Sequence, residues 1–526
     1  MKKIKKFEMG IGIIVFIIPI LIAVYFGFQK QGYFVDEVWS YGLANSKDYA
    51  HLYSPNGWDA DWIQPSYFEH YIEVEPGEQF SYGSVFRNQM DDNHPPFFYL
   101  VLHTVSSFFS EKFSKWFGIV PNLFYLLITN IFLYKILKRF TDNKGIAIAG
   151  MLIYALSAGA ISCTIYIRMY MMLTMWMMIL LYIYMNIYEN EKVRRRDLIA
   201  CSLVTFSGCM TQYYFYIALF FGAGMLCFLL LLRKRWRDII EFIVANIASM
   251  LMVLIVFPIS FIKILGKDGD RGVQAYNAFG EHQDVFGKFK QLYIIINQQL
   301  YNNLLSVILL LGLVGIAAII VYYMIQRKIP ESVWKDVFIL VPITVTIGYM
   351  MIMAFVAPYQ TDRYIYIIYP VSIICIVFIL NKIFETFNIS GKYLMVILGL
   401  IAVLFSCREI KSDQVRYLYP DSLHNMELAE QYSNDDCIYV TDQWYLITAD
   451  VPELMKYNRV LRIGYDSLAE VKSRLKPDTR ELIVYLDKML GESIEDRGKE
   501  ITRDLTMNQW EYLYSSDKCW VYRVYK

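Results

Sequence analysis

Runs of about 20 mostly apolar residues recur along this chain, the length an α-helix rising about 1.5 Å per residue needs to cross a hydrocarbon layer about 30 Å thick. Spans are expected near 9–28, 116–137, 145–167, 171–188, 198–215, 216–232, 239–262, 301–323, 336–356, 364–380 and 392–406. Of the 526 residues, 56% are hydrophobic and 17% aromatic, and the mean hydropathy is +0.35, which is too apolar for an ordinary soluble protein. The expected fold is a polytopic α-helical membrane protein.

Basic residues gather in cytoplasmic loops, so their clusters orient the chain. Lys2, Lys3, Lys5 and Lys6 set the N-terminus in the cytoplasm, and the first span, read as uncleaved, then delivers residues 29–115 outside. The clusters Lys135/Lys138/Arg139/Lys144, Lys192/Arg194/Arg195/Arg196, Arg233/Lys234/Arg235/Arg237, Arg327/Lys328/Lys335 and Lys382/Lys392 all fall inside, provided that 95–110 does not cross. That stretch is therefore expected to be an interfacial helix. The same arithmetic puts 263–300, the stretch around Ala357–Arg363 and everything after about 407 outside. Together these features fit a multi-pass protein of the plasma membrane. The formal charge of +1 implies no attraction to nucleic acid.

Two regions are expected, a membrane domain 1–406 with its long outer loop 29–115 and a small extracytoplasmic α/β domain 407–526. In the second, strand-like runs at 438–440, 482–486 and 519–522 alternate with helix-like 422–433, 466–475 and 501–513. Cys437 and Cys519 each open one of those strand-like runs, and a disulfide and free thiols stay equally open. The cysteines inside spans read as small hydrophobes.

Three constellations carry chemistry. Asp36-Glu37 follows the first span between Gly32-Tyr33-Phe34-Val35 and Val38-Trp39-Ser40-Tyr41. Alone, such a pair reads as solvated; the apolar flanks would hold it against the bilayer, where a carboxylate becomes more basic and suits general-base work on a hydroxyl. Asp91-Asp92-Asn93-His94-Pro95-Pro96 reads first as a capped helix start. A helix N-terminus with His94 beside it also suits a phosphate. Arg168 and Arg363, both at outer span boundaries, read either as residues snorkelling to water or as a bidentate phosphate clamp; Lys263 and Lys267 are weaker candidates of the same kind. His51, His70 and His103 share the outer loop without the spacing of a metal motif. The methionine run from Met169 to Met178 reads as packing, and the tyrosines at 213, 214, 216, 364, 366 and 369 as an interfacial aromatic belt.

Taken together, these motifs resemble the GT-C glycosyltransferases, specifically the group with the protein O-mannosyltransferases and the aminoarabinose transferases. Asp36-Glu37 matches the acidic pair after the first span, whose first member is the family's catalytic aspartate. His94-Pro95-Pro96 with Tyr99 is similar to the basic residue, two prolines and nearby aromatic that end its first outer loop, and Arg363-Tyr364 with Tyr369-Pro370 resembles its late arginine-tyrosine segment. Arg168 departs from relatives that carry an acidic residue in the second outer loop. The resemblance implies a GT-C-like membrane domain of about 11 spans with interfacial helices, and a polyprenyl-phosphate sugar as donor. The acceptor would be a hydroxyl on a protein, glycolipid or wall polymer. By the same resemblance Asp36 would be the general base, with inversion, and Glu37 would orient the acceptor or the base. His94, Arg168 and Arg363 would hold the donor phosphate, while Asp92, Tyr99 and Tyr364 would position substrate. No nucleotide and no certain cofactor is implied, and a divalent cation stays open.

A lipid or polysaccharide transporter or flippase is the main rival, and it would put charged or broken helices near mid-membrane. A polysaccharide polymerase or ligase is a rival within the enzymes, and a receptor leaves the acidic loop unexplained.

Overall fold

The computed structural model describes residues 2–47, 50–52, 62–265, 284–326, 336–411, 414–443, 445–477, 479–490 and 493–526. Lys267, Arg327, Lys328 and Lys335 lie outside the described residues. The chain divides into two units: Met1–Gly27 with Asn93–Phe98 and Ile119–Arg416, and Phe28–Asp92 with Tyr99–Gly118 and Tyr417–Lys526. Division thus follows contacts rather than chain order. Most of the outer loop, expected to belong with 1–406, clusters with the C-terminal region.

The first unit is helical, beginning with α1 (Lys2–Gln29). Among the described residues eight helices are long and apolar enough to cross a membrane: Trp116–Thr141, Tyr170–Glu189, Phe215–Leu232, Trp236–Val256, Leu305–Gln326, Val337–Val356, Tyr366–Thr386 and Gly391–Arg408. The chain is a multi-pass membrane protein. Tyr170–Glu189 is 78% buried over its apolar window and Leu305–Gln326 only 17%. The former therefore runs inside the bundle and the latter faces lipid. That burial makes Met171, Met172, Met175, Met177 and Met178 packing residues.

Two expected spans differ in shape. The segment 145–167 is a pair of helices, Lys144–Ala155 and Ala158–Ile165, bent by 57°. Ser157 starts the second by accepting from the amide of Ala160 at 3.2 Å, a side-chain cap that interrupts one helix to begin another. Nor is 198–215 a full span, because the helix Arg195–Cys209 has only 15 residues, about 22 Å of rise.

In the second unit, five strands form one sheet in the order β2-β1-β3-β5-β4. They are β1 (Asp436–Val440), β2 (Arg459–Ile463), β3 (Glu481–Asp487), β4 (Gln509–Ser515) and β5 (Cys519–Tyr525). β1 pairs in parallel with β2 and β3, while β5 runs antiparallel to β3 and β4. Ile438, Val440, Leu461, Ile463, Val484, Leu486 and Val524 form its core. The helix expected over 501–513 is instead Ile494–Asp504 followed by β4. Thr506, at a left-handed φ of 56°, turns the chain, and the aromatic run that follows pairs as a hairpin with β5.

Cys437 and Cys519 are free and buried. They sit on β1 and β5, which flank β3, so their strands lie about 10 Å apart. That separation exceeds the reach of a disulfide.

The outer-loop helices of this unit are α2 (Val35–Asn45), α3 (Pro65–Ile72), α4 (Tyr82–Asp91) and α5 (Phe97–Ser107), the last of which begins in the first unit. At 11 residues α5 is too short to cross a membrane. α2 packs on α3, on α4 and on the turn Leu446–Asp450. Gly42 lets the α3 ring of Tyr71 lie on α2, for a Cβ there would stand 1.9 Å from its Cζ. Ile63 extends the sheet edge by pairing with Val460.

Candidate active site

Asp36 and Glu37 occupy the first turn of α2, where the helix dipole favours negative charge. Their surroundings differ. Glu37 is completely buried: its carboxylate accepts from the ammonium of Lys30 at 2.9 Å and from the amide of Phe34 at 2.7 Å. That second bond caps the helix start in place of an N-cap hydroxyl, which Phe34 lacks. Lys30 is equally buried, and burial pulls its ammonium below the usual lysine range while Glu37 opposes the shift. Asp36 is half-buried and keeps access to the surface. The acidic pair therefore splits into one carboxylate enclosed by protein and one that is partly exposed.

The rest of the outer loop is mostly structural. Asp92 closes α4 and is buried, as is Tyr99 on α5. His51 accepts from the indole of Trp39 at 3.1 Å, and His70 stands 3.2 Å from Glu75. His103 is buried beside the ring of Tyr82, and burial lowers its pKa, favouring the neutral form. Among the described residues no cluster of three or more His, Cys, Asp or Glu could hold a metal ion.

In the first unit, the turn between the bent pair and the Tyr170–Glu189 helix carries Arg168. Asn122 holds that turn by donating to the carbonyls of Thr164 and Tyr166 at 3.0 and 2.9 Å. Arg168 is thereby buried with its Nη2 3.5 Å from Nε2 of His94. His94 is fixed from its own side, because two prolines and the amide of Phe97, donating to Met210 at 3.0 Å, set the chain that follows it. Arg363 lies in the 3-10 turn Asp362–Tyr364 and donates to the hydroxyls of Tyr166 at 3.3 Å and Tyr364 at 3.4 Å. Its guanidinium is 5.1 Å from the ring of Tyr364. Tyr166, two residues before Arg168, thus links the two arginine segments. An Arg/His cluster on rigid turns offers several charge-assisted donors to a phosphate.

Sequence reasoning missed four members of these networks. Asp362, fully buried, accepts from Tyr366 at 2.6 Å and Gln299 at 2.8 Å, with Arg416 at 3.5 Å. It anchors the turn that presents Arg363, whose amide it also accepts at 2.9 Å. Its place beside Arg363 was the available signal. Tyr166 and Gln299 had none beyond composition, and Lys30 read as a loop residue.

No family model and no curated protein matches the chain. Solved structures similar to it include ArnT from Cupriavidus metallidurans bound to undecaprenyl phosphate, with a TM-score of 0.49 and 10% identity over 96% of this chain and 97% of that one. The apo state of the same protein gives 0.46 and 11% over 92% and 95%. The archaeal oligosaccharyltransferase AglB from Archaeoglobus fulgidus, in complex with an inhibitory peptide and a dolichol-phosphate, gives 0.45 and 10% over 91% and 70%. The multi-pass helical fold with its small α/β region stands on the helices and strands described above.

Proposed function

We propose that this protein is a membrane glycosyltransferase that moves a sugar from a polyprenyl-phosphate donor to an acceptor hydroxyl on the outer face of the plasma membrane. The observation that carries this reading is the split of the acidic pair: Glu37 is buried against Lys30 and the helix cap, while Asp36 in the same helix turn is only half-buried. Asp36 takes the proton of the acceptor hydroxyl, and the oxygen attacks the anomeric carbon. The bond to phosphate breaks with its electron pair leaving on the phosphate oxygen, which gives an inverted glycoside and polyprenyl phosphate. Arg168, Arg363 and His94 offset charge building on the departing phosphate, and the buried tyrosines around Arg363 fix its fork. Tyr364 positions substrate beside Arg363. The N-terminus lies in the cytoplasm and residues 407–526 outside.

The test is transfer by the purified protein from a panel of undecaprenyl-phosphate-linked sugars to serine peptides, glycolipid and wall polymer, each with and without chelator. Loss of transfer in Asp36→Asn with unchanged expression supports the reading. Full activity of that variant rules out Asp36 as the base, and the chelator arm decides on a divalent cation.

A further inference from the structure

We infer that Lys30 is a positioning residue, which holds the first turn of α2, and with it Asp36, through Glu37, and that the C-terminal segment Tyr417–Tyr419 closes this latch. The inference rests on the assignment of Asp36 as base.

Lys30 is 0% exposed, so its ammonium cannot meet substrate and must satisfy its charge inside. It donates to Glu37 at 2.9 Å and to the carbonyl of Tyr417 at 2.7 Å. The rings of Tyr33 and Tyr419 lie 5.8 and 5.5 Å from it and complete an aromatic surround. The strap is bound again one residue on, where the amide of Gln31 donates to the carbonyl of Leu418 at 2.7 Å. At Gly32 the chains approach so closely that a Cβ would stand 2.2 Å from Oγ of Ser422. Tyr417 and Tyr419 both take left-handed backbone, at φ of 66° and 50°. A non-glycine residue holds that conformation only when its surroundings impose it.

A buried ion pair contributes little net stability, because desolvation offsets attraction, but removing one partner leaves an uncompensated charge. The pair therefore specifies geometry. Glu37 passes it on, since the carboxylate gripping Lys30 also caps the amide of Phe34 and so fixes where α2 begins. Val35 and Asp36 are the residues between Phe34 and Glu37.

The test is a double-mutant cycle in the full-length protein, Lys30→Met and Glu37→Gln singly and together, with Lys30→Arg as the conservative variant. It is read by donor kinetics and by amide exchange of the peptide covering 34–45. The donor is the undecaprenyl-phosphate-linked sugar that the wild type consumes. Each single change is expected to lower kcat about tenfold or more with KM for donor little altered, and to speed exchange at the start of α2. The double variant is expected to recover most of both, and Lys30→Arg to keep more activity than Lys30→Met. Unaltered exchange in both singles overturns the inference. A double variant no better than the worse single also overturns it, because Glu37 would then act on substrate directly. Asp36→Asn, run in parallel, should stop transfer and leave exchange unchanged; if it stays active the base assignment fails, while the exchange readings still decide the latch.

Discussion

Nη2 of Arg168 stands 3.5 Å from Nε2 of His94, a residue 74 positions earlier in the chain, and both side chains are buried. A guanidinium and an imidazole are brought together by turns that independent contacts hold, Asn122 for one and the prolines for the other. Such an arrangement suits an anion shared between them. Arg168→Lys keeps the charge and loses the fork, so KM for donor should rise about tenfold while the protein stays folded. Donor titrations at saturating acceptor check this.

For the base, Asp36→Asn removes a proton acceptor and keeps the shape. A positioned general base contributes about 10² to 10⁴ in rate, and kcat should fall within that range. Single-turnover transfer is the measurement, and a loss below about threefold would exclude the role.

Gly42→Ala tests the packing that seats α2. A Cβ meets the Tyr71 ring at 1.9 Å, and that ring is rigid, with its hydroxyl donating to the carbonyl of Ala50 at 3.1 Å. Overpacking of this kind costs about 1–3 kcal/mol. A lower midpoint for exchange protection in 34–45 is the expected result, with the spans in the first unit unaffected.

The α/β region carries a pH dependence of its own. Glu453 is buried and accepts from the hydroxyls of Tyr485 at 2.8 Å and Tyr514 at 3.0 Å, while Asp450 accepts from Tyr439 at 2.8 Å. Burial raises both carboxyls above their ordinary range, and the charge of Asp450 adds to the effect on Glu453. A carboxyl whose folded pKa is raised favours the folded state at low pH. Its contribution is complete below the ordinary range of about 4 and is lost as pH rises through the raised folded values. Exchange protection across 451–457, corrected for intrinsic rates, should therefore decline from about pH 4 to about pH 8. Glu453→Gln should flatten that decline.

Cys437 and Cys519 should both resist alkylation until the protein is denatured. Each thiol is buried, and burial raises its pKa, so little thiolate is present. Mass analysis without reductant should find neither in a disulfide.

Most of the membrane-crossing helices could be read from residue order, because hydropathy over about 20 residues is a local property of the chain, but the expected span 198–215 stops as a helix of 15 residues. Residue order also marked Asp36-Glu37 and the His94-Pro95-Pro96 helix start, whose residue types announce a helix start locally. Where the signal was local but divided, it misled: the 57° bend at Ser157 hides inside a continuous apolar run, and β4 follows a helix whose period extends into it. Only the tertiary structure separated Glu37 from Asp36, adjacent residues of like chemistry. The distinction rests on Lys30, whose second partner, Tyr417, is 387 residues away. The Arg168–His94 approach and the Tyr166–Arg363 bond are likewise products of chain path. Burial and pairing between distant segments depend on how helices and strands pack, and residue order alone does not encode those distances.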